Sequence, residues 1–225
     1  QQRLWLLEVA HEALSDANIN PDQLAGQKVG VFVGSGIAEY QAMAFGDPLN
    51  ITQHTMSGNS LAVIANRLSY FLNLDGPSMT VDTACSAGLT AFHLACQSLM
   101  SGECDAAIVA AVNVLLGPSP FVGFSQAKML SPRGILAPFD ESADGFVRAE
   151  GCGALVLSRK NCSFIPSLRR VYAEVLGWGI NVAGKTESLT MPSENRQCQL
   201  LQQLIQNAEI LGEDVVYVEA HGTGT

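Results

Sequence analysis

Two residues in this sequence could carry chemistry, a cysteine and a histidine that each close an apolar run. Cys85 lies in Val81-Asp82-Thr83-Ala84-Cys85-Ser86-Ala87-Gly88-Leu89, where a β-branched strand pattern breaks and a helical pattern begins. A thiol at that join meets the unpaired amides of a helix N-terminus and the positive end of its macrodipole, both of which favour the nucleophilic thiolate. Ala84, Ala87 and Gly88 keep the approach open to a bulky electrophile. The alternative is a buried free cysteine acting as a small hydrophobe. His221 follows the apolar run 214–220 and precedes Gly222-Thr223-Gly224-Thr225. Placed there, it is either an active-site group or a strand-end imidazole satisfied by a neighbour. The other histidines fit no such role. His93 lies on the same helix as Cys85, about 12 Å further along its axis, His11 sits on an amphipathic helix, and His54 falls in an irregular stretch. A Cys/His pair permits covalent catalysis on an acyl group: the thiolate holds the chain as a thioester while the imidazole moves a proton or donates to an oxyanion. Spacing alone leaves both hydrolysis and transfer open.

Placing those two groups requires alternating strands and helices. Leu4, Leu7, Ala10, Leu14 and Ala17 line one face of an opening helix, and residues 28–34 read as a buried strand closed by Gly34-Ser35-Gly36. A dinucleotide loop needs a third glycine where Glu39 stands, so a nucleotide site is disfavoured. Residues 41–56 lack a sustained period and read as a mobile surface connection. A helix over 60–72 carries Leu61, Ile64, Ala65, Leu68 and Phe71 on one face. Residues 77–83 form a short strand into Cys85, and helical spacing follows from Leu89 to Leu99. The run 106–116 reads as a strand buried on both faces. Residues 117–151 form a long loop rich in Gly, Pro and Ser, and a loop of that length inside a compact domain is usually functional. Strands are expected over 153–158 and 171–180, the second with a bulge at Gly177-Trp178-Gly179. A helix over 194–210, with Leu200, Leu201, Leu204 and Ala208 inward, leads to a last strand over 214–220 that delivers His221. The alternation predicts an α/β protein with a mainly parallel sheet, whose ligands collect beyond the carboxyl ends of the strands. Cys85 and His221 both fall there.

Composition narrows the function classes. With 225 residues and 48% apolar content the chain buries a sizeable core. Its net charge of −9, with 21 acidic against 12 basic residues and no basic run longer than Arg169-Arg170, argues against nucleic acid as a partner. An acidic protein partner would need a local basic patch, for which Lys128 and Arg133 are the candidates. The six cysteines (Cys85, Cys96, Cys104, Cys152, Cys162, Cys198) show no C-x-x-C pair and no zinc spacing, so reduced thiols in an intracellular, cytoplasmic setting are expected. No apolar run reaches the roughly 18 residues of a membrane span. The sequons at Asn50 and Asn161 are read as chance. Beginning mid-helix and stopping just behind a strand, the chain is expected to be a piece of a longer protein.

Four motifs in order resemble the β-ketoacyl synthase family, most closely the ketosynthase domains of type I polyketide synthases. They are Asn66-Arg67-Leu68-Ser69-Tyr70 with Gly76-Pro77-Ser78, then Asp82-Thr83-Ala84-Cys85-Ser86-Ala87. Pro138-Phe139-Asp140 through Asp144-Gly145-Phe146-Val147-Arg148-Ala149-Glu150-Gly151 comes next, and Glu219-Ala220-His221-Gly222-Thr223-Gly224-Thr225 last. The resemblance implies an α/β thiolase-like fold with αβαβα layers and a homodimer. The chain would cover an N-terminal half over about 1–165 and the opening of a C-terminal half over about 166–225. It also implies that Cys85 receives the acyl chain from the phosphopantetheine of an acyl carrier protein. His221 would be the first of a pair of catalytic histidines that assist decarboxylation of a malonyl-type extender and stabilise its enolate. The product is a β-ketoacyl chain, in polyketide or fatty acid biosynthesis. Thr223 and Thr225 would hydrogen-bond the pantetheine arm, Phe124 would line the acyl pocket from the loop after the buried strand, and the run 106–116 would pair across the two-fold axis. Ala87 and Gly88 depart from the serines that many modular ketosynthases carry there. The second histidine and the oxyanion loop would lie beyond residue 225, so the isolated 225 residues are expected not to condense. The enzyme competes with a catalytically silent ketosynthase-like partner subunit that shapes chain length. Cys85 favours the enzyme, because silent relatives typically lack that thiol. A thiolase-type enzyme or plain cysteine hydrolase is a third option. No metal or redox cofactor is implied, and neighbouring synthase domains are expected partners.

Overall fold

Along β1 (Val29–Gly34) three valines alternate with Gly30, Phe32 and Gly34, and all six residues are buried, so the strand has apolar neighbours on both faces. The computed structural model describes residues 1–36, 39–160, 162, 165 and 170–225. β1 pairs in parallel with β2 (Ser78–Val81) and with β3 (Ala106–Asn113), and β3 pairs antiparallel with β4 (Gly151–Ser158). The order is β2-β1-β3-β4, with Val33 level with Thr80 on one side and Ala110 on the other. The sheet is therefore mixed, with β4 the antiparallel member. Seven helices are found among the described residues: α1 (Gln2–Asp16), α2 (Glu39–Ala44), α3 (Thr55–Asn59), α4 (Ala62–Leu72), α5 (Ala87–Ser101), α6 (Ser119–Gln126) and α7 (Glu194–Asn207).

Side-chain alternation divides the sheet into two faces. Phe32, Ala107 and Val109 meet Ala91, Ala95 and Leu99 of α5 in one buried cluster, with Val81 and Leu157 packed against it. Val31, Val33 and Ile108 point the opposite way, to the side covered by α1 and α4. A hydroxyl seam helps hold α4 to β2: Ser69 Oγ donates to Ser78 Oγ at 2.7 Å, and the Ala65 amide donates to Thr80 Oγ1 at 3.1 Å. The buried stripe of α1 is Leu6, Ala10 and Leu14, whereas Leu4 is 67% exposed. In α4 it is Ile64, Ala65, Leu68 and Leu72, and Phe71 faces out. Both stripes run at i, i+4 spacing, and small residues at their centres let the helices approach the sheet closely.

Several expectations fail here. Residues 171–180 and 214–220 form no strand among the described residues. Val171, Tyr172, Val216, Tyr217 and Val218 are exposed. Apolar, β-branched composition records fitness for a half-buried pleat, and without a neighbouring strand to supply the ladder it does not make one. Gly177 and Gly179 accordingly mark no bulge. They lie against α7, where a Cβ on Gly179 would sit 3.0 Å from Leu200 and 3.1 Å from Leu204. Leu201, expected inward, is 56% exposed. The connection over 41–56 holds the end of the short helix α2, a 3-10 turn at Pro48–Asn50 and the start of α3. The long loop after β3 contains α6, in which Pro120 falls in the first turn, where a missing amide proton costs nothing. β3 has β1 on one edge and β4 on the other, so it cannot pair across a two-fold axis; among the described residues the outer strands of the sheet are β2 and β4. Asn161 and Arg169 lie outside the described residues.

The chain forms two compact units, one of residues 1–167 with 220–225 and the other of 168–219. In the smaller unit Ser193 caps α7 by accepting from the Arg196 amide at 3.3 Å, and the Asn181 side-chain amide donates to the Arg196 carbonyl at 2.6 Å. No helix among the described residues is long and apolar enough to cross a membrane.

Candidate active site

Cys85 stands in a tight 3-10 turn, Ala84–Ser86, between β2 and α5. The turn is built by its short polar neighbours. Asp82 Oδ1 accepts from the Ala84 amide at 2.9 Å, Ser86 Oγ donates to the Thr83 carbonyl at 2.9 Å, and Thr83 Oγ1 lies 2.9 Å from Thr90 Oγ1 in the first turn of α5. Ala84 has φ +54°, a left-handed conformation that costs a residue with a Cβ about 1–2 kcal/mol. Strain at such a point persists only where its surroundings hold it. Two glycines bring the turn onto the sheet: a Cβ on Gly34 would lie 2.4 Å from the Gly88 amide nitrogen, and one on Gly88 would lie 3.1 Å from the Ala111 Cβ. Gly34 is therefore more than the end of a strand, because it admits the backbone of α5. Cys85 is exposed, which removes the buried-hydrophobe alternative. Cys96 and Cys104 have that fate instead, and burial pushes both thiols above their ordinary pKa.

His221 is exposed, and the four residues after it are joined to the long loop. The Gly145 amide donates to the Gly224 carbonyl at 3.0 Å, a Cβ on Gly224 would sit 3.2 Å from the Ala137 nitrogen, and Gly222 approaches Pro138. Gly145 has φ +140° and no space for a side chain, since a Cβ would lie 2.4 Å from the Leu130 carbonyl carbon and the Ser131 nitrogen. Thr223 Oγ1 and Thr225 Oγ1 are 2.8 Å apart, so one donates to the other and a single hydroxyl proton of the pair stays free for a ligand. The structure thus joins Thr223 and Thr225 to the 137–145 loop. Among the described residues, no hydrogen bond links Cys85 with His221. His93 is half-buried, with Nδ1 lacking a partner, while His11 and His54 are exposed.

Phe124, on α6 and not in an open loop, packs edge-to-face on Phe146 with centroids 5.4 Å apart and planes at 75°. Phe146 follows Gly145 directly, so α6 and the 221–225 segment meet through one loop. Sequence reasoning missed the group behind them. Arg148 Nη2 donates to Glu39 Oε1 at 2.8 Å, and the other Glu39 oxygen accepts from the Leu116 and Gly117 amides at 2.7 Å each. Both side chains are nearly sealed from solvent, at 6% and 3% exposure. Burial pushes the Glu39 carboxyl upward, but the Arg148 and backbone hydrogen bonds outweigh it and hold the group below its ordinary pKa. The Arg148 guanidinium also lies 4.6 Å from the Phe121 ring centroid and 5.6 Å from that of Phe124. Nothing in spacing marks a pair separated by 109 positions. Arg133, a candidate for docking an acidic partner, is taken by Asp144 at 2.6 Å, an ion pair that holds the Asp144 carboxyl below its usual range.

Comparisons with known proteins place the chain, including this exposed thiol and the Gly-Thr-Gly-Thr segment, in one family. The sequence profile of the β-ketoacyl synthase N-terminal domain matches residues 1–162, and that of the C-terminal domain matches residues 172–225. The chain belongs to the β-ketoacyl synthase family. All of it aligns at 48% identity with a phenolphthiocerol/phthiocerol polyketide synthase of Mycobacterium tuberculosis, covering 12% of that protein. It aligns at 44% identity with the highly reducing polyketide synthase dmxL2 of Cryptosporiopsis sp., covering 9%. Among solved structures, the ketosynthase from module 6 of the bacillaene synthase of Bacillus subtilis 168 matches all of this chain at 39% identity with a TM-score of 0.89, over 38% of its own length. The oxazolomycin ketosynthase domain OzmH KS7 of Streptomyces albus JA3453 matches at 34% identity with a TM-score of 0.90, also over 38% of its length. This β-ketoacyl synthase chain thus spans about a tenth of these curated relatives and under two-fifths of these solved ketosynthases. Its α/β fold is thiolase-like.

Proposed function

We propose that the protein performs a decarboxylative Claisen condensation in polyketide assembly. The observation that supports this best is the exposed Cys85 thiol, held at the N-terminal turn of α5 in a member of the β-ketoacyl synthase family. The thiolate attacks the acyl thioester of an acyl carrier protein, the pantetheine thiol leaves, and the acyl chain remains on Cys85. A malonyl-type extender on a carrier protein then loses carbon dioxide. Its enolate attacks the Cys85 thioester carbonyl, forming the carbon–carbon bond and releasing the cysteine thiolate. His221 stabilises the enolate oxygen by hydrogen bonding. Thr223 and Thr225 share one free hydroxyl proton for the pantetheine arm, and Phe124 bounds the acyl chain. A metal or redox cofactor has no part in this scheme.

The partners in this scheme are the carrier protein, neighbouring synthase domains and a second copy of the chain, in a cytoplasmic setting. Strand pairing between copies through this sheet would use one of its outer strands among the described residues, β2 or β4. The division into an N-terminal half to about residue 165 and the opening of a C-terminal half from about residue 166 belongs to the same proposal. So does inactivity of the 225 residues alone, since the resemblance calls for a second histidine beyond them. The test is to incubate the full-length protein with an acyl-carrier thioester and measure the intact mass. One acyl group is expected on Cys85, and Cys85→Ala is expected to take none. A parent protein that stays unacylated would leave the catalytically silent partner as the standing alternative and sink the enzyme.

A further inference from the structure

Arg148 has no assigned part in that chemistry, yet it is bound on two sides by different kinds of partner. On one side its Nη2 is fixed by Glu39, itself clamped by the Leu116 and Gly117 amides just beyond β3. On the other side the guanidinium lies against the rings of Phe121 and Phe124, and its Nη1 is buried with no hydrogen-bond partner. A guanidinium is planar and weakly hydrated, so it can sit on aromatic faces at a site where a compact ammonium would demand water or oxygen. Glu39 holds one edge of the guanidinium, the guanidinium carbon lies over the Phe124 ring, and Phe146 meets the same ring edge-to-face.

We propose that Arg148, oriented by Glu39, is a positioning residue for Phe124 and thereby a determinant of which acyl chains Cys85 accepts. The inference rests on the proposed reading of Phe124 as a wall of the acyl pocket. Its consequence is selective. An ill-placed wall changes the discrimination between short and long chains more than it changes the reactivity of the thiol.

The test uses the full-length synthase and two probes, the acetyl and octanoyl thioesters of N-acetylcysteamine, with acylation of Cys85 followed by intact mass. Arg148→Lys keeps a charge for Glu39 but has no plane to lay over two rings. The ratio of octanoyl to acetyl acylation rates is expected to change by about tenfold, the scale on which one methylene is sensed in an apolar pocket. Phe121→Leu removes the nearer ring, leaves the ion pair in place, and is expected to move the ratio in the same direction. It decides the matter if Arg148→Lys does not fold. A ratio within twofold of the parent in Phe121→Leu, or in a folded Arg148→Lys, overturns the positioning role; a purely structural ion pair would be rescued by lysine and give that result. A parent that takes neither acyl group at Cys85 fails at the earlier step, and takes both the enzyme and this inference with it.

Discussion

Replacing Gly34 with alanine tests directly how the Cys85 turn is held. The added methyl would lie 2.4 Å from the Gly88 nitrogen, 2.5 Å from the Ala87 carbonyl carbon and 2.6 Å from its oxygen, where ordinary contact begins at 3.4 Å. All three are backbone atoms, so no side chain can rotate away. Either β1 or the first turn of α5 must move by about 1 Å, and overpacking of this kind costs about 1–3 kcal/mol. Displacing a reacting group by 1 Å costs about 100-fold in rate. Two assays follow: urea denaturation of Gly34→Ala, and the rate at which iodoacetamide or an acyl thioester modifies Cys85. Gly153→Ala is the control, since a Cβ there meets nothing within 4 Å in the same sheet. A lower unfolding midpoint and slower acylation are expected in Gly34→Ala alone. Parent-like stability together with a parent-like acylation rate would refute the close approach of β1 to α5 as the support of the turn.

Gly145→Ala is expected to cost at least as much, about 1–3 kcal/mol, because the methyl meets the backbone of Leu130 and Ser131 at 2.4 Å; limited proteolysis should then cut within 137–145. Ala84→Gly relieves the strained φ of +54° but loosens the unfolded chain, for a net gain of about 0.5 kcal/mol in chemical denaturation, with slower acylation of Cys85 as the turn loses its fixed shape. Glu39→Leu leaves the Arg148 charge buried without its partner and is expected to destabilise by about 3–5 kcal/mol. Since Glu39 is held below its ordinary 4.5, its charge stabilises the fold fully above that pH, and this contribution is lost as pH falls through the depressed value; the stability gap between parent and Glu39→Gln should narrow below pH 4.5.

The elements around Cys85 are legible in the sequence because their signals are local. β1, β2, the turn and α5 follow from alternation, helical spacing and small residues, all between Val29 and Ser101. The runs 171–180 and 214–220 carry the same kind of signal yet make no strand, since strand formation depends on a neighbour that the run itself does not specify. The inward stripes of α1 and α4 keep Ala10, Leu14, Ile64, Ala65 and Leu68 where the period puts them and differ at their ends, where Leu6 is buried and Leu4 exposed, and Leu72 is buried and Phe71 exposed, because the period alone does not say which neighbouring apolar residue meets the sheet. In the sequence Glu39 stands out only as the absence of a glycine, and Arg148 only as a letter in a motif. Their pairing depends on the fold bringing α2, the end of β3 and the 147–151 stretch to one point, information that neither residue's neighbours contain.

The joint between Gly145 and Gly224 is made by main chain on both sides. Side chains at its rim, such as Phe139, which is 91% exposed, take no part in it. The rim can therefore be rewritten while the threonines stay where they are. Substitutions along 137–144 that leave Gly145 in place are therefore expected to change the loop's exposed surface without changing the backbone path of 222–224.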